Sequence, residues 1–156
     1  MVNKNLVVEN GRIIFRNFAG EATKYKRAGN REFSVVFDYE TGMELLDQGW
    51  NIKTLRPREE GDIPDCHLSV AVQFGAYPPE VYMVRGKKKV LLDEESISIL
   101  DQSEIEYCDI VIRPYNWEVN GKAGVKAYVK TMYVVLKEDM FAGKYDFDIE
   151  DEEVPF

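Results

Sequence analysis

Cysteine and histidine are scarce in this chain, and long apolar runs are absent. Its 156 residues hold two cysteines, Cys66 and Cys108, and one histidine, His67. The cysteines are far apart and form no CxxC pair, so the expectation is two buried thiols in a reducing compartment and not a disulfide framework. A zinc site would need Cys66, His67, Cys108 and a fourth ligand without the usual spacing, and it is set aside. No apolar stretch approaches the roughly 18 residues of a membrane-spanning helix. The first residues, MVNKNLVVENGR, lack the apolar core of a secretory signal. Nucleophile elbow, phosphate loop and catalytic-triad patterns are all missing. The acid pairs Asp62/Asp65 and Glu94/Glu95 fall in a polar loop and at a helix start, where a metal-dependent nuclease would need carboxylates that converge. No catalytic residue, metal or cofactor is therefore expected.

Charge is distributed unevenly. The formal net charge is −8, from 20 basic and 28 acidic residues. Taken whole, that sign disfavours a nucleic-acid binder, which usually carries a basic excess. Yet six of the acids, Asp146, Asp148, Glu150, Asp151, Glu152 and Glu153, crowd the final segment, and no Lys or Arg follows Lys144. The other 22 acids face 20 basic residues, so the body is close to neutral and can still hold a basic groove.

The body is rich in strand signals. RIIFRNF (12–18), EFSVVFD (32–38), a segment from Trp50 to Arg56, CHLSVAVQF (66–74), Val81–Val84 and Val90–Leu92 all have β character, several with period-2 alternation. Thr41 and Glu44 suggest a capping box for a short helix, MELLDQ, ended by Gly49. DEESISILDQSEI suggests a second helix with Asp93 as N-cap. Trp50, Phe37 and Tyr133 are expected in the core. This order predicts a mainly β, five-stranded barrel of the OB type with short inserted helices, an architecture that binds oligonucleotides across one sheet face and its loops. Another small β-barrel or an α+β sheet is the structural alternative. Residues 1–138 form the expected OB-fold domain and 139–156 a disordered acidic tail.

The most informative stretch is IVIRPYNWEV-NG-KAGVKAYVKTMYVVL. Asn-Gly between β-rich runs signals a hairpin, because both residues tolerate positive φ. A two-residue turn places Val119 opposite Lys122, Tyr115 opposite Lys126 and Arg113 opposite Tyr128. One face then carries Arg113, Tyr115, Trp117, Lys126, Tyr128 and Lys130. The other carries Ile110, Ile112, Ala127, Val129 and Thr131. Rings interleaved with cations suit a single nucleic-acid strand, whose bases stack while Lys and Arg follow the phosphates. The same face also suits a solvated sheet with snorkelling side chains. Lys24, Tyr25, Lys26, Arg27 and Arg31 combine a ring with basic residues in one loop and are a second candidate contact. Arg85, Lys87 and Lys88 in a tight turn are a third, or a solvated hairpin tip.

The last residues, YDFDIEDEEVPF, stay extended because like charges repel and little apolar surface can be buried. A merely solubilising tail explains the acids but not the terminal Val154-Pro155-Phe156. Asp151, Glu152, Glu153, Val154, Pro155 and Phe156 resemble the C-terminal tip of bacterial single-stranded DNA-binding proteins. The body, through REFSVVFD, VYMVRGKKKVLLDEES and IRPYNWEVNGKAGVKAYVKTMYV, is similar to phage-encoded single-stranded DNA-binding proteins over roughly Arg12 to Leu136. The resemblance implies an OB fold, sequence-tolerant binding of single-stranded DNA, and replication, recombination or repair proteins docking on the tail. It implies a non-enzymatic protein of phage or prophage origin, acting in the bacterial cytoplasm away from membranes. The near-absent linker and the Pro57–Pro64 and Asp93–Glu106 insertions depart from the bacterial pattern, so the bacterial tetramer is not carried over and self-association stays open. An RNA-binding or strand-annealing OB protein, a nuclease, and a protein-interaction or host-inhibitor module on the same barrel are the competing readings.

Overall fold

The computed structural model describes residues 2–22, 24 and 28–138. Eight strands form one sheet: β1 (Leu6–Asn17), β2 (Arg31–Phe37), β3 (Ile52–Thr54), β4 (Cys66–Val72), β5 (Glu80–Arg85), β6 (Lys88–Leu92), β7 (Ile105–Val119) and β8 (Lys122–Leu136). Antiparallel pairing links β4, β2, β1, β7 and β8 in that order. Parallel pairing of Val70 with Ala127 and Ala71 with Tyr128 then joins β4 to β8 and closes five strands into the expected barrel. β3 extends the edge of β4, and the β5–β6 hairpin lies along β8 through parallel pairing with β5.

Alternation selects the core. Phe33 and Val35 of β2, Leu68 and Val70 of β4, Ile110 and Ile112 of β7, and Ala127, Val129, Met132 and Val134 of β8 point inward and are buried. Phe18 stacks on Phe33 at 5.3 Å between ring centroids. Trp50 is buried, as expected, and Phe37 is half-buried against the core. Both cysteines are free and buried. Burial pushes the Cys108 thiol up to about 12 and also raises that of Cys66, which keeps both protonated and poorly nucleophilic.

Helix α1 (Tyr39–Gln48) ends at Gly49 as expected, with φ 111°. Its N-cap is Asp38, whose Oδ1 accepts the Thr41 amide at 2.7 Å, so the cap lies three residues before the expected Thr41/Glu44 box. Gly42 allows α1 to sit directly against Cys66 of β4, where a Cβ would overlap the thiol side chain. The second expected helix is only a 3-10 segment, Ile97–Asp101. Asp93 does not cap it. Its Oδ1 accepts from the Glu95 and Ser96 amides and the Ser96 hydroxyl, closing a turn. The tight geometry follows from burying Ile97 and Leu100, spaced by three. The Asp101 carboxylate accepts the Phe18 and Ala19 amides and ties this segment to the end of β1. Among the described residues no helix is long and apolar enough to cross a membrane.

The β7–β8 hairpin has the expected turn and register. Asn120 and Gly121 take φ of 51° and 79°, and Val119, Tyr115 and Arg113 face Lys122, Lys126 and Tyr128. A bulge modifies the base. Ile112 pairs with Val129 but Val111 with Thr131, which leaves Lys130 as the extra residue. The bulge falls where β8 leaves β4 at Tyr128 and picks up β5 at Thr131. It reverses the alternation beyond it. Met132 and Val134 fill the core instead of Thr131 and Tyr133, correcting the core positions expected for both.

Candidate nucleic-acid interface

β1 pairs with β7 only as far as Ile112, so beyond Arg113 the two long strands pair with each other as an arm of about 20 Å. The amino-terminal segment braces it. The Val2 amide donates to Asn116 Oδ1 at 3.1 Å, and Asn116 Nδ2 donates to the Val2 carbonyl at 2.7 Å. Asn116 is adjacent to Tyr115 and Trp117, and by alternation its side chain is on the opposite face. The brace therefore leaves the aromatic face open.

That face carries Arg113, Tyr115, Trp117, Lys126 and Tyr128. Tyr115 and Trp117 are 52% and 39% exposed. Tyr115 meets Tyr128 edge-on at 6.2 Å, and the Arg113 guanidinium and the Lys126 ammonium lie 5.2 and 5.4 Å from the Tyr128 centroid. Tyr128 thus holds two cations in place, and Tyr115 and Trp117 are the more available stacking surfaces. Trp117 packs over Gly124 directly across the ribbon, where a Cβ would lie 2.6 Å from its ring. Glycine gives the indole a flat seat and leaves its far side to solvent.

The barrel brings the β1–β2 loop towards this face. Asn17 pairs with Glu32, Glu32 with Ala71, and Ala71 with Tyr128, so the loop's neck lies within about 15 Å of Tyr128. The Gly29 amide closes that neck on the Gly20 carbonyl at 2.7 Å. Lys24 is in this loop; Tyr25, Lys26 and Arg27 lie outside the described residues, as does the whole tail, including Asp151, Glu152, Glu153, Val154, Pro155 and Phe156. Arg31 is half-buried, 3.4 Å from Glu94 and 5.9 Å from the Phe74 ring centroid, and so is held by its own neighbours.

The other basic residues separate. Lys130, in the bulge, lines a groove of about 590 Å³ with Arg113, Thr131, Glu80 and Tyr77. Arg85, Lys87 and Lys88 are not near the arm. β5 runs parallel to β8 along Thr131–Val135 and carries that turn to the far end of β8, beside Glu138. Their neighbours there are a stacked pair, Tyr82 and Tyr133, 4.9 Å apart, with Lys89 4.7 Å from the Tyr82 centroid. Sequence reasoning missed Tyr77, which is 85% exposed. Its signal was an aromatic residue between Gly75 and Pro78, in a turn that cannot bury it.

A closed five-stranded OB barrel with exposed rings among cations on one arm defines a class of oligonucleotide-binding proteins. The phage ssDNA-binding domain family matches residues 1–154, and the chain belongs to that family. The fold is similar to that of the single-stranded DNA-binding protein of bacteriophage Enc34. Its C-terminally truncated form has a TM-score of 0.54 at 13% identity, covering 87% of each chain. The same protein in complex with ssDNA gives 0.54 at 12%, covering 87% of this chain and 88% of that one. None of the curated protein sequences matches this one.

Proposed function

We propose that this protein binds single-stranded DNA without sequence preference, coating strands exposed in phage replication, recombination or repair in the host cytoplasm, and that it is not an enzyme. The observation that carries this reading is the arm, where Tyr115 and Trp117 are exposed on the same face as Arg113 and Lys126 in a member of the phage family. The Enc34 protein, described in complex with ssDNA, supports it. Rings serve any base, because every base has a π-face, and the cations follow the phosphates. In this reading the 1–138 domain binds DNA and residues 139–156 act separately as a partner-binding tail. Trp50 is only 3% exposed, so fluorescence quenching by DNA reports on Trp117. Oligo-dT is expected to quench it at concentrations where a duplex of equal length does not. Equal response to both strands, or none to oligo-dT, refutes the reading.

The tail has two expected roles. Its six acids match a phosphate backbone in sign, so deleting Asp146–Phe156 should tighten oligo-dT binding at low salt and change it little at high salt, where attraction is screened within about 8 Å or less. Phe156 offers a ring, and Asp151, Glu152 and Glu153 offer carboxylates, to a partner pocket bearing Lys or Arg. Phe156→Ala should abolish capture of host replication or repair proteins and leave oligo-dT affinity unchanged. Unaltered low-salt affinity in the deletion removes the first role; undiminished capture by Phe156→Ala removes the second.

A further inference from the structure

The sheet ends at β6 with an open edge that is apolar at its centre. Among the described residues β6 is last in the strand order and pairs only with β5. Val90 and Leu91 are 51% and 59% exposed there, while Leu92 is buried. Gly86 and Lys87 form the loop between the two strands, so Arg85 and Lys88 close it by bonding to each other. Bonded and non-bonded pairs then alternate along the antiparallel ladder. The backbone groups of Lys88, Val90 and Leu92 therefore turn towards β5, and those of Lys89 and Leu91 turn outward. Such an open row templates pairing with another strand unless it is guarded. The opposite edge of the sheet, β3, is only three residues long and exposes Lys53 and Thr54.

The charges around β6 are ordered. Arg85, Lys87, Lys88 and Lys89 precede Val90, Leu91 and Leu92, and Asp93, Glu94 and Glu95 follow. Lysines guard an edge against strands in general. A parallel copy of β6 would set Lys beside Lys, which is repulsive. An antiparallel copy reverses the order and sets the basic end of each strand beside the acidic end of the other. The turn after Leu92 keeps the acids there, since Asp93 Oδ1 accepts the Glu95 and Ser96 amides. Glu94 is 3.4 Å from Arg31 of its own copy, whereas Glu95 is exposed.

We propose that β6 pairs antiparallel with β6 of a second copy of this chain, about a two-fold axis at Val90, to form a homodimer with a continuous sheet. Lys89 then faces the second copy's Leu91, and the outward backbone groups of both strands bond to each other. Val90 faces the second copy's Val90, and Lys87 its Asp93. An axis at Leu91 would need the Asp93 backbone to bond across. That amide already donates to Ser96 Oγ at 2.8 Å, and the Asp93 carbonyl accepts the Ile97 amide at 3.0 Å. β5 runs beside the Thr131–Val135 end of β8, so each copy keeps its arm uncovered, and the pairing does not depend on what the arm binds.

The test is the mass of the full-length protein, free of DNA, measured by light scattering across the micromolar range, together with oxidative crosslinking. The protein should approach twice its monomer mass as concentration rises, and less so in high salt, where the end charges are screened. Val90→Cys should form a disulfide-linked dimer on mild oxidation, because a non-bonded antiparallel pair sets its Cα atoms about 4.5 Å apart, within disulfide range. Cys66 and Cys108 are buried and contribute little background. Val119→Cys, exposed at the tip of the arm, should crosslink far less. Leu91→Pro removes an outward amide and spares the ladder with β5, so it should stay monomeric and melt like the parent protein. If it melts early, Leu91→Lys decides, because it sets like charges opposite each other at the second copy's Lys89. A monomer at every concentration overturns the proposal. So does a dimer that persists in the deciding Leu91 variant, or Val90→Cys crosslinking no faster than Val119→Cys. A dimer that forms only after Asp146–Phe156 is removed means that the tail occupies the edge, and overturns the pairing in the intact chain.

Discussion

Raising salt from about 50 to 200 mM should lower oligo-dT affinity about 50-fold, if roughly four phosphates are neutralised and the log–log slope on a single strand is about −0.7 per phosphate. In the proposed function Arg113, Lys126 and Lys130 would supply three of those contacts, and a basic residue of the 24–31 segment a fourth. Arg113 and Lys126 lie over the Tyr128 ring, and neither forms an ion pair with a carboxylate among the described residues. The magnitude is large because every neutralised phosphate releases counterions, and the contributions multiply. Fluorescence titration at several salt concentrations gives the slope. A flat response would mean that phosphates are not contacted. The tail deletion should steepen the slope, because its self-competition is strongest at low salt.

Trp117→Ala should weaken oligo-dT binding by about 1–3 kcal/mol, the usual worth of one base on one ring, or roughly 5- to 150-fold. The melting temperature should hardly move, because the indole packs over Gly124 on a braced arm outside the barrel core. Gly124→Val offers an independent approach to the same contact. The added side chain would meet the ring at 2.6 Å and must lift it from its seat, so binding should fall while Trp117 itself is kept. Calorimetric melting together with titration separates the outcomes. A large fall in melting temperature for Trp117→Ala would place the ring in a structural role and remove it from the binding surface.

Several elements of this protein were legible locally. The Asn120-Gly121 turn could be read from two residues, since φ above zero at both positions is a property of those side chains. With the turn settled, alternation placed Arg113, Tyr115, Trp117, Lys126 and Tyr128 together. The five-stranded barrel was legible from the count and spacing of β-rich runs. The Gly49 helix end was legible for the same reason as the turn. What could not be read was any placement that depends on which strand lies alongside. Thr131 and Tyr133 look like a continuation of the inward series, and only the exchange of β4 for β5 beside β8 inserts Lys130 and turns them outward. RIIFRNF reads as an ordinary strand, yet its pairing with β2 breaks at Ile14 and exposes Phe15.

The basic clusters divide in the same way. By sequence, Arg85, Lys87 and Lys88 were either a third contact or a solvated hairpin tip, because charge alone carries no information on distance. Parallel pairing of β5 with β8 sets them at the far end of that strand. The β1–β2 loop, remote in sequence from the hairpin, approaches it because β4 closes on β8. By itself, then, the sequence determined the turn, the register of the arm, the strand-rich class and the chemistry of each candidate surface, since these follow from side-chain conformational preference and period-2 alternation. Only the tertiary structure decided which surfaces share a face, because strand order, barrel closure and bulges arise from pairing between segments distant in sequence, as Leu6 is from Ile112 and Val70 from Ala127, and no local preference encodes them.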